Sequence, residues 1–535
     1  MKTRTTEIIL LSAIIIIAFF TKGCSRPTPP QKTSVEIGLD STIGSLTETF
    51  SPGPFAVEGY GLIGGLSGTG SPDCPPEIRD YLEKYIKKQL PDQETDIDKL
   101  LSSNNIAVVL LQGLIPPMAN QNEAFDIKVS TLPGTQAASL EDGWLYKTEL
   151  KAAGTFGMDM KALATAEGPV FIDKSRPSDV NKKGGYILGG GRVINEYKVN
   201  LAIRQPDYKV AGRIRNRINE RFGSETAKAA SESLISLKIP PKYRMQKERF
   251  ISIVRAMYLN QTPDSARERI IKFIQKLAVG EDKGEAEIAL ETIGNEAIDK
   301  LAALLNSSNE DVRFRAARCM LNLGNDKGLE TLRQIAMDKN SSRRMDALAA
   351  ITASAKRNDA AVVARKLLRD ENLDTRLAAY ESIRTLEDII ITEKLIGRSF
   401  YLEQISQTEY KTIYASRSGQ PRIALLGAPI YCNDNIFVES GDGNITINAP
   451  AGQKYVSIIR KHPTRPDMVI QAKSTFEVGD IVQTLCEESA KRTNEKRSGL
   501  SVSYAEMITL LQQMCDKGAI KAEFHAGPLP KIGPR

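Results

Sequence analysis

The spacing Gly59-x-Gly61-x-x-Gly64 is the one that lets a backbone turn closely around a pyrophosphate, so nucleotide binding is the first chemistry this sequence raises. Its context argues against that use. A dinucleotide site needs a strand before the glycines, a helix after them and an acidic residue on the next strand. Here the glycines continue through Gly65, Gly68 and Gly70 and run into Pro72, Pro75 and Pro76. Their expected role is in the backbone: positive φ and close approach, in the turns of a tightly packed assembly surface. Catalytic groups are equally sparse. His462 and His525 are the two histidines, the first beside Pro463 and the second at the start of the C-terminal tail, so general-base chemistry through imidazole has few candidates. No GxSxG elbow, P-loop or HExxH is present. Carboxylates on helical segments, such as Glu285 and Glu287, read as solvated helix faces rather than as a glycosidase pair. No catalytic, cofactor-binding or metal-ligating residue is assigned, and no enzyme is expected.

The chemistry that remains is on cysteine. Lys2 and Arg4 precede an apolar run from Ile8 to Phe20, short for a bilayer span and suited to a signal-peptide core. The run meets Thr21-Lys22-Gly23-Cys24, a small residue before Cys that resembles the lipobox of bacterial lipoproteins. Cleavage there would leave Cys24 as an acylated N-terminus. Thr21 and Lys22 are unusual for a lipobox, but the Pro, Ser and Thr-rich stretch that follows has the composition of an extended tether, and about twenty such residues reach on the order of 25 Å. With Cys24 lipidated, Cys74, Cys319, Cys432, Cys486 and Cys515 remain, an odd number. Cys319 falls on a helical apolar face as a small core residue. The other four allow one or two bridges, which spacing does not assign.

The 535-residue chain exceeds one core and reads as about three folded bodies. An apolar fraction of 41% and a charged fraction of 26% are those of a globular protein. The net charge of +7 is dispersed over the whole length, and nucleic acid is not expected as a partner. In the first body the continuous apolar run from Ile106 to Gln112 and the alternation of Phe125, Ile127 and Val129 predict strands. Tyr197, Val199, Leu201 and Ile203 predict another. Val210, Ile214 and Ile218 then share one face of a helix closed by Gly223, and a second helix from about Glu248 carries Phe250, Ile253 and Val254. The second body is helical and repeats: Arg313, Arg344 and Arg376 stand in similar six-residue blocks spaced 31 and 32 residues apart, which means a solenoid. It offers a protein-binding face or a rigid spacer. The third body begins near Gln420. It carries a hairpin centred on Ser440-Gly441-Asp442-Gly443-Asn444, a capping box at Ser503 and Glu506 opening a helix, and a closing strand from Ala519 to Phe524.

Laid out this way, the first body resembles the flagellar P-ring protein of bacterial basal bodies. The likeness is carried by the stretch from Val57 to Gly70, which includes Gly59, Tyr60, Gly61, Gly64, Gly68 and Gly70, by Asn105 to Leu110 leading to Ile115-Pro116-Pro117, by Phe125 to Leu132, and by Leu234 to Tyr243 with its following helix. Val502 to Phe524 is similar to the helix and strand that close that family's chain. The repeats resemble HEAT repeats of the short bacterial type; such repeats also occur in bilin lyases, but no reactive constellation accompanies them here. The resemblance implies an α+β multidomain fold, with mixed α/β ring-protein domains interrupted by an α-helical HEAT-like solenoid. Its parts are residues 1–23 as signal peptide, 24–49 as lipid-attached linker, 50–262 as P-ring-like region, 263–395 as helical repeats, 396–525 as C-terminal P-ring-like region and 526–535 as mobile tail. It also implies a structural ring component without cofactor, partnered by copies of itself and by rod and L-ring proteins. The place it implies is the periplasm, within the peptidoglycan layer; the reading of Cys24 adds a lipid that holds the chain to a membrane, the outer one. Gly59, Tyr60, Gly61, Gly64, Gly68, Gly70, Pro116 and Pro117 are the candidate assembly motif. The family usually lacks both the lipid and the repeats. The solenoid is therefore expected to project toward a neighbouring subunit, the envelope or another basal-body part. The other reading is a lipid-anchored envelope adaptor that uses its repeats to bind a protein and has no flagellar role.

Overall fold

The computed structural model of the chain describes residues 38–89, 96–155, 157–175, 180–462, 465–487 and 499–532. The signal-peptide and lipidation readings, Cys24 included, lie outside the described residues. The described fold already begins inside the expected linker. Ile43–Leu46 (α1) is one turn closed by a reciprocal cap between Thr42 and Ser45, and Thr47–Phe50 (β1) follows directly. Ile43 is fully buried and β1 pairs antiparallel with a later strand, so residues 43–49 belong to a folded lobe rather than to a tether.

Phe55–Gly64 (β2) opens a barrel. After the helices Pro76–Gln89 (α2) and Ile97–Leu101 (α3) come Ile106–Ile115 (β3), Ala124–Thr131 (β4), Trp144–Ala152 (β5), Ala164–Pro169 (β6) and Gly184–Val193 (β7). The strands close in the order β2-β3-β4-β7-β6-β5, every pair antiparallel. Closure leaves no strand edge unpaired. Alternation decides what fills it: Phe125, Ile127 and Val129 point in with Val109, Leu111, Leu145 and Ile187, as the period of two predicts. α2 and α3 cover Leu62, Ile106 and Val108 from outside.

Beside the barrel sits an α/β lobe. Val199–Ile203 (β8), Tyr208–Phe222 (α4), Ala227–Ala229 (β9), Leu234–Leu237 (β10) and Lys247–Ala256 (α5) join β1 in a sheet ordered β1-β8-β10-β9. Asp207 caps α4 by accepting the Lys209 and Val210 N–H groups, and Gly223, at φ +102°, ends it. Val210, Ile214 and Ile218 of α4 pack with Phe250, Ile253 and Val254 of α5.

The repeat array follows: Pro263–Val279 (α6), Lys283–Ile293 (α7), Ile298–Leu304 (α8), Glu310–Asn322 (α9), Asp326–Met337 (α10), Arg344–Ser354 (α11), Arg357–Leu367 (α12) and Leu373–Thr385 (α13). The periodic arginines have a local task. Arg313 donates to the carbonyls of Ser307 and Ser308, and Arg376 to those of Asp370 and Glu371, so each ties its helix to the turn before it. Arg344 instead reaches the Ala336 carbonyl and Asp370.

The last body has two sheets. Thr392–Ile396 (β11), Phe400–Ile405 (β12), Thr412–Ala415 (β13) and Arg422–Leu426 (β14) form a mixed sheet that the terminal strand completes; Ile436–Glu439 (β15), Ile445–Ala449 (β16), Val456–His462 (β17) and Arg465–Ser474 (β18) form an antiparallel one. Val478–Cys486 (α14) and Tyr504–Asp516 (α15) pack on them, and Ser503 and Glu506 make the expected capping box. The terminal strand is Glu523–Ala526 (β19), a few residues later than the expected Ala519 to Phe524. That shift corrects the tail. Ala526 pairs with Ala415, Gly527 N–H donates to the Ala415 carbonyl, and Leu529 packs on the core. The cysteines are corrected too: Cys74, Cys319, Cys432, Cys486 and Cys515 are all free, with Cys319 buried between α7 and α9 as expected.

Candidate functional site

The glycine motif lies in the barrel wall rather than in a loop. Gly59, Tyr60, Gly61 and Gly64 all belong to β2, and only the later Gly65 and Gly68 take positive φ, at 83° and 90°. What the strand glycines provide is proximity. A Cβ on Gly59 would stand 2.6 Å from the Glu149 carbonyl oxygen of β5, and one on Gly61 would stand 2.7 Å from Thr148 Oγ1 and 3.0 Å from Leu145 Cδ1. Gly64 is closed off by the Tyr146 ring, and Gly70 by the Ile106 carbonyl. The turn reading holds for Gly65 and Gly68 and fails for Gly59, Gly61 and Gly64, which sit where β2 meets β5 and the Glu149 backbone and the Thr148, Leu145 and Tyr146 side chains leave no room for a Cβ.

Pro116 and Pro117 stand at the other end of the barrel. β2 and β3 pair from Gly64 with Ile106 to Phe55 with Ile115, so Gly65 to Gly70 leave one rim and Pro116-Pro117 leave the opposite one. The structure therefore does not gather the motif into a single surface. It gives the prolines a junction instead. Met118, next along the chain, is buried in the lobe core, and Lys247 Nζ on α5 reaches its carbonyl at 2.9 Å and Glu123 Oε2 at 3.2 Å.

A second, denser constellation joins lobe and array, and sequence reasoning misplaced it. Glu287 does not face solvent; it is fully buried, and so is Glu291 one turn on, whereas Glu285 is exposed. Arg249 of α5 enters between them, 2.8 Å from Glu287 Oε1 and in contact with Glu291. Arg318 forks onto Glu287 at 2.7 and 2.6 Å, and Arg315 adds a contact at 3.2 Å. Burial alone would raise the Glu287 carboxyl, but Arg249 and Arg318 outweigh it and hold the group below the usual carboxylate range. The neighbouring row continues one repeat at a time: Asn322 donates to Glu291, Ser354 donates to the Asn322 amide oxygen, and the lobe answers with Lys242 on the Asn322 carbonyl and Gln246 on Ser354 Oγ. The signal that could have found this seam was the repeat period itself, since Glu287 and Arg318, and Glu291 and Asn322, are 31 residues apart.

The far end of the array is closed in the same register. Glu381 of α13 pairs with Arg422 of β14, Arg384 with Glu403 of β12, and Ile405, Ala424 and Leu426 finish the apolar stack of the last repeats. The last body then docks back on the barrel. Asp126 of β4 accepts the N–H groups of Gly189, at 2.6 Å, and Gly419, at 2.9 Å, and Arg417 bonds Asp173 at 3.2 Å. The array is thus held at both ends by its own chain and does not project freely.

Burial pushes the Cys74 and Cys515 thiols up to about 11, so both are protonated near neutrality. No group of three or more His, Cys, Asp or Glu among the described residues is placed to hold a metal. No helix among them is long and apolar enough to cross a membrane.

Comparison with known proteins agrees with this division. Residues 54–272 match the family model described as flagellar P-ring protein, and residues 280–352 match the one for HEAT repeats. A flagellar P-ring protein of Thermotoga maritima is 32% identical over 210 residues, covering 37% of this chain and 60% of the relative. That of Helicobacter pylori is 26% identical over 245 residues, covering 44% and 65%, and that of Aquifex aeolicus 30% identical over 200 residues, covering 35% and 52%. The chain thus spans about 60% of the length of the Thermotoga relative. Residues 54–272, which run from the barrel through the lobe into α6, are thus similar to the flagellar P-ring protein family, and the array that follows is similar to HEAT repeats.

Proposed function

We propose that the chain is a structural subunit of the flagellar basal body that assembles with copies of itself into a periplasmic ring around the rod, beside the L-ring, and that lipid on Cys24 tethers it to a membrane, the outer one. The observation that carries this reading is the family match over one continuous stretch, which takes in the whole barrel. Barrel and lobe interlock through Met118 and Lys247, as a unit that keeps its shape within a ring requires. The HEAT array serves as a connecting body within each subunit, because its two ends and the row Glu291, Asn322 and Ser354 are occupied by the same chain. No catalytic step is assigned. Motility of a deletion strain, together with electron microscopy of its basal bodies, is the test: loss of swimming and of a periplasmic ring supports the reading, and a swimming strain with an intact ring overturns it. The adaptor alternative predicts the second outcome, and the occupied array row counts against it.

A further inference from the structure

Charge is distributed very unevenly along this chain. Residues 198–257 hold fourteen Lys and Arg against five Asp and Glu, a net +9, while the whole chain sums to +7. The excess is therefore in the α/β lobe, and everything else together is slightly acidic. Part of it is spent internally, on Glu48 by Arg204, on Glu123 by Lys247 and on Glu287 by Arg249. The solvent side of α4 keeps three of the others. Lys209, Arg213 and Arg215 are exposed there, and among the described residues none of them meets a carboxylate. Tyr208 opens the same helix, 72% exposed, as an amphipathic ring beside the cations.

The second observation is where the described chain begins. Arg269 donates to the Leu39 carbonyl at 2.6 Å and reaches Asp40 at 3.3 Å while lying 3.6 Å above the Tyr258 ring. Thr42 bridges Tyr258, and Arg217 of α4 donates to the Tyr258 carbonyl at 3.3 Å. The path toward Cys24 thus departs from the flank of α4. Thirteen residues separate Cys24 from Gly38, and a chain of that length spans at most about 50 Å when fully extended. A lipid on Cys24 would keep this basic face within about 50 Å of the bilayer to which it is tethered.

We infer that the outer face of α4, with Tyr208, Lys209, Arg213 and Arg215, is a docking surface for an anionic lipid bilayer, and that it orients the ring-like body on the membrane. Basic side chains close to a surface of anionic headgroups are attracted within about a Debye length, and aromatic rings of the tyrosine type settle at the headgroup level. The inference rests on the lipid-tether reading for its geometry, but not for its test.

The test uses the full chain with Cys24→Ser, so that binding cannot come from an acyl group. Flotation with vesicles of phosphatidylcholine, with and without phosphatidylglycerol, is expected to recover the protein only with the anionic vesicles and to lose it in about 1 M salt, where the Debye length is about 3 Å. The triple variant Lys209→Gln, Arg213→Gln, Arg215→Gln should bind about 100-fold more weakly, from about fivefold per charge. A control, Lys84→Gln, Lys87→Gln, Lys88→Gln on α2, should bind as the parent does, and thermal unfolding should show all three proteins folded. Equal recovery with both vesicles, no recovery with either, or full binding by the α4 variant overturns the inference; so does binding to immobilised polyglutamate without binding to phosphatidylglycerol, which would assign the face to an acidic protein. Mass spectrometry of the mature N-terminus decides the tether separately. An unmodified Cys24 would remove the tether and leave the vesicle result standing on its own.

Discussion

Gly59 and Gly61 are where one atom most directly decides the fold. At Gly59 the obstacle is a carbonyl oxygen of the facing strand, which cannot rotate away, so Gly59→Ala must spread β2 from β5. Overpacking of this kind costs about 1–3 kcal/mol, and Gly61→Val should reach the upper end because Thr148, Leu145 and Leu111 surround it. Gly68 gives the comparison: nothing lies within 4 Å of its Cβ position, and its φ of +90° is the only obstacle, so Gly68→Ala should cost about 1 kcal/mol. Denaturant midpoints check the order. A Gly59→Ala protein as stable as the parent would mean the barrel does not close there. This is also where sequence reading was least able to see. Glycines carry no periodicity, so a ten-residue strand holding Gly59, Gly61 and Gly64 looks like a loop, and the facing Glu149 and Thr148 lie some 90 residues away. Phe125, Ile127 and Val129 were legible because each has a side chain whose burial alternates.

At the scale of elements, the seam between α5, α7 and α9 shows why a helical repeat can be read from sequence while its attachments cannot. The period of Arg313, Arg344 and Arg376 is local and repeats, so the array is visible in the sequence. Glu287 looks solvated because its principal partner, Arg249, belongs to another body, and only assembly brings them together. Removing Arg249 would leave buried Glu291 without a cationic partner while Glu287 keeps Arg318 and Arg315, and Arg249→Met should destabilise the chain by about 3 kcal/mol. The pH dependence has a definite sign. Glu287 is held below its ordinary value of 4.5, so its contribution is present above that value and is lost as pH falls through the lower value it takes in the folded chain. The gap in urea midpoint between the parent and Glu287→Gln should therefore be widest near neutrality and shrink in acid below about that ordinary value. A gap that stays constant across that range would contradict the assignment of a charged, paired Glu287.

For the whole molecule, the chain closes on itself. The barrel holds the lobe through Met118, the lobe holds the array through Arg249, the array ends on the sheet of the last body, and that body returns to the barrel through Asp126 and Arg417. An inserted repeat array is compatible with a ring subunit under that arrangement because it bridges fixed points instead of swinging from them. The sequence did contain the order of the bodies and the kinship of the first. It did not contain their closure, which depends on pairs such as Asp126 with Gly419, nearly 300 residues apart. Closure ties the bodies of the chain to one another, as the ring-subunit reading proposed above requires. The most direct measurement is electron microscopy of basal bodies isolated from cells whose only copy of this chain carries a label on the exposed β15 position Phe437. The account predicts label repeated around a ring at the periplasmic level of the rod. Basal bodies with a complete ring and no label would contradict it.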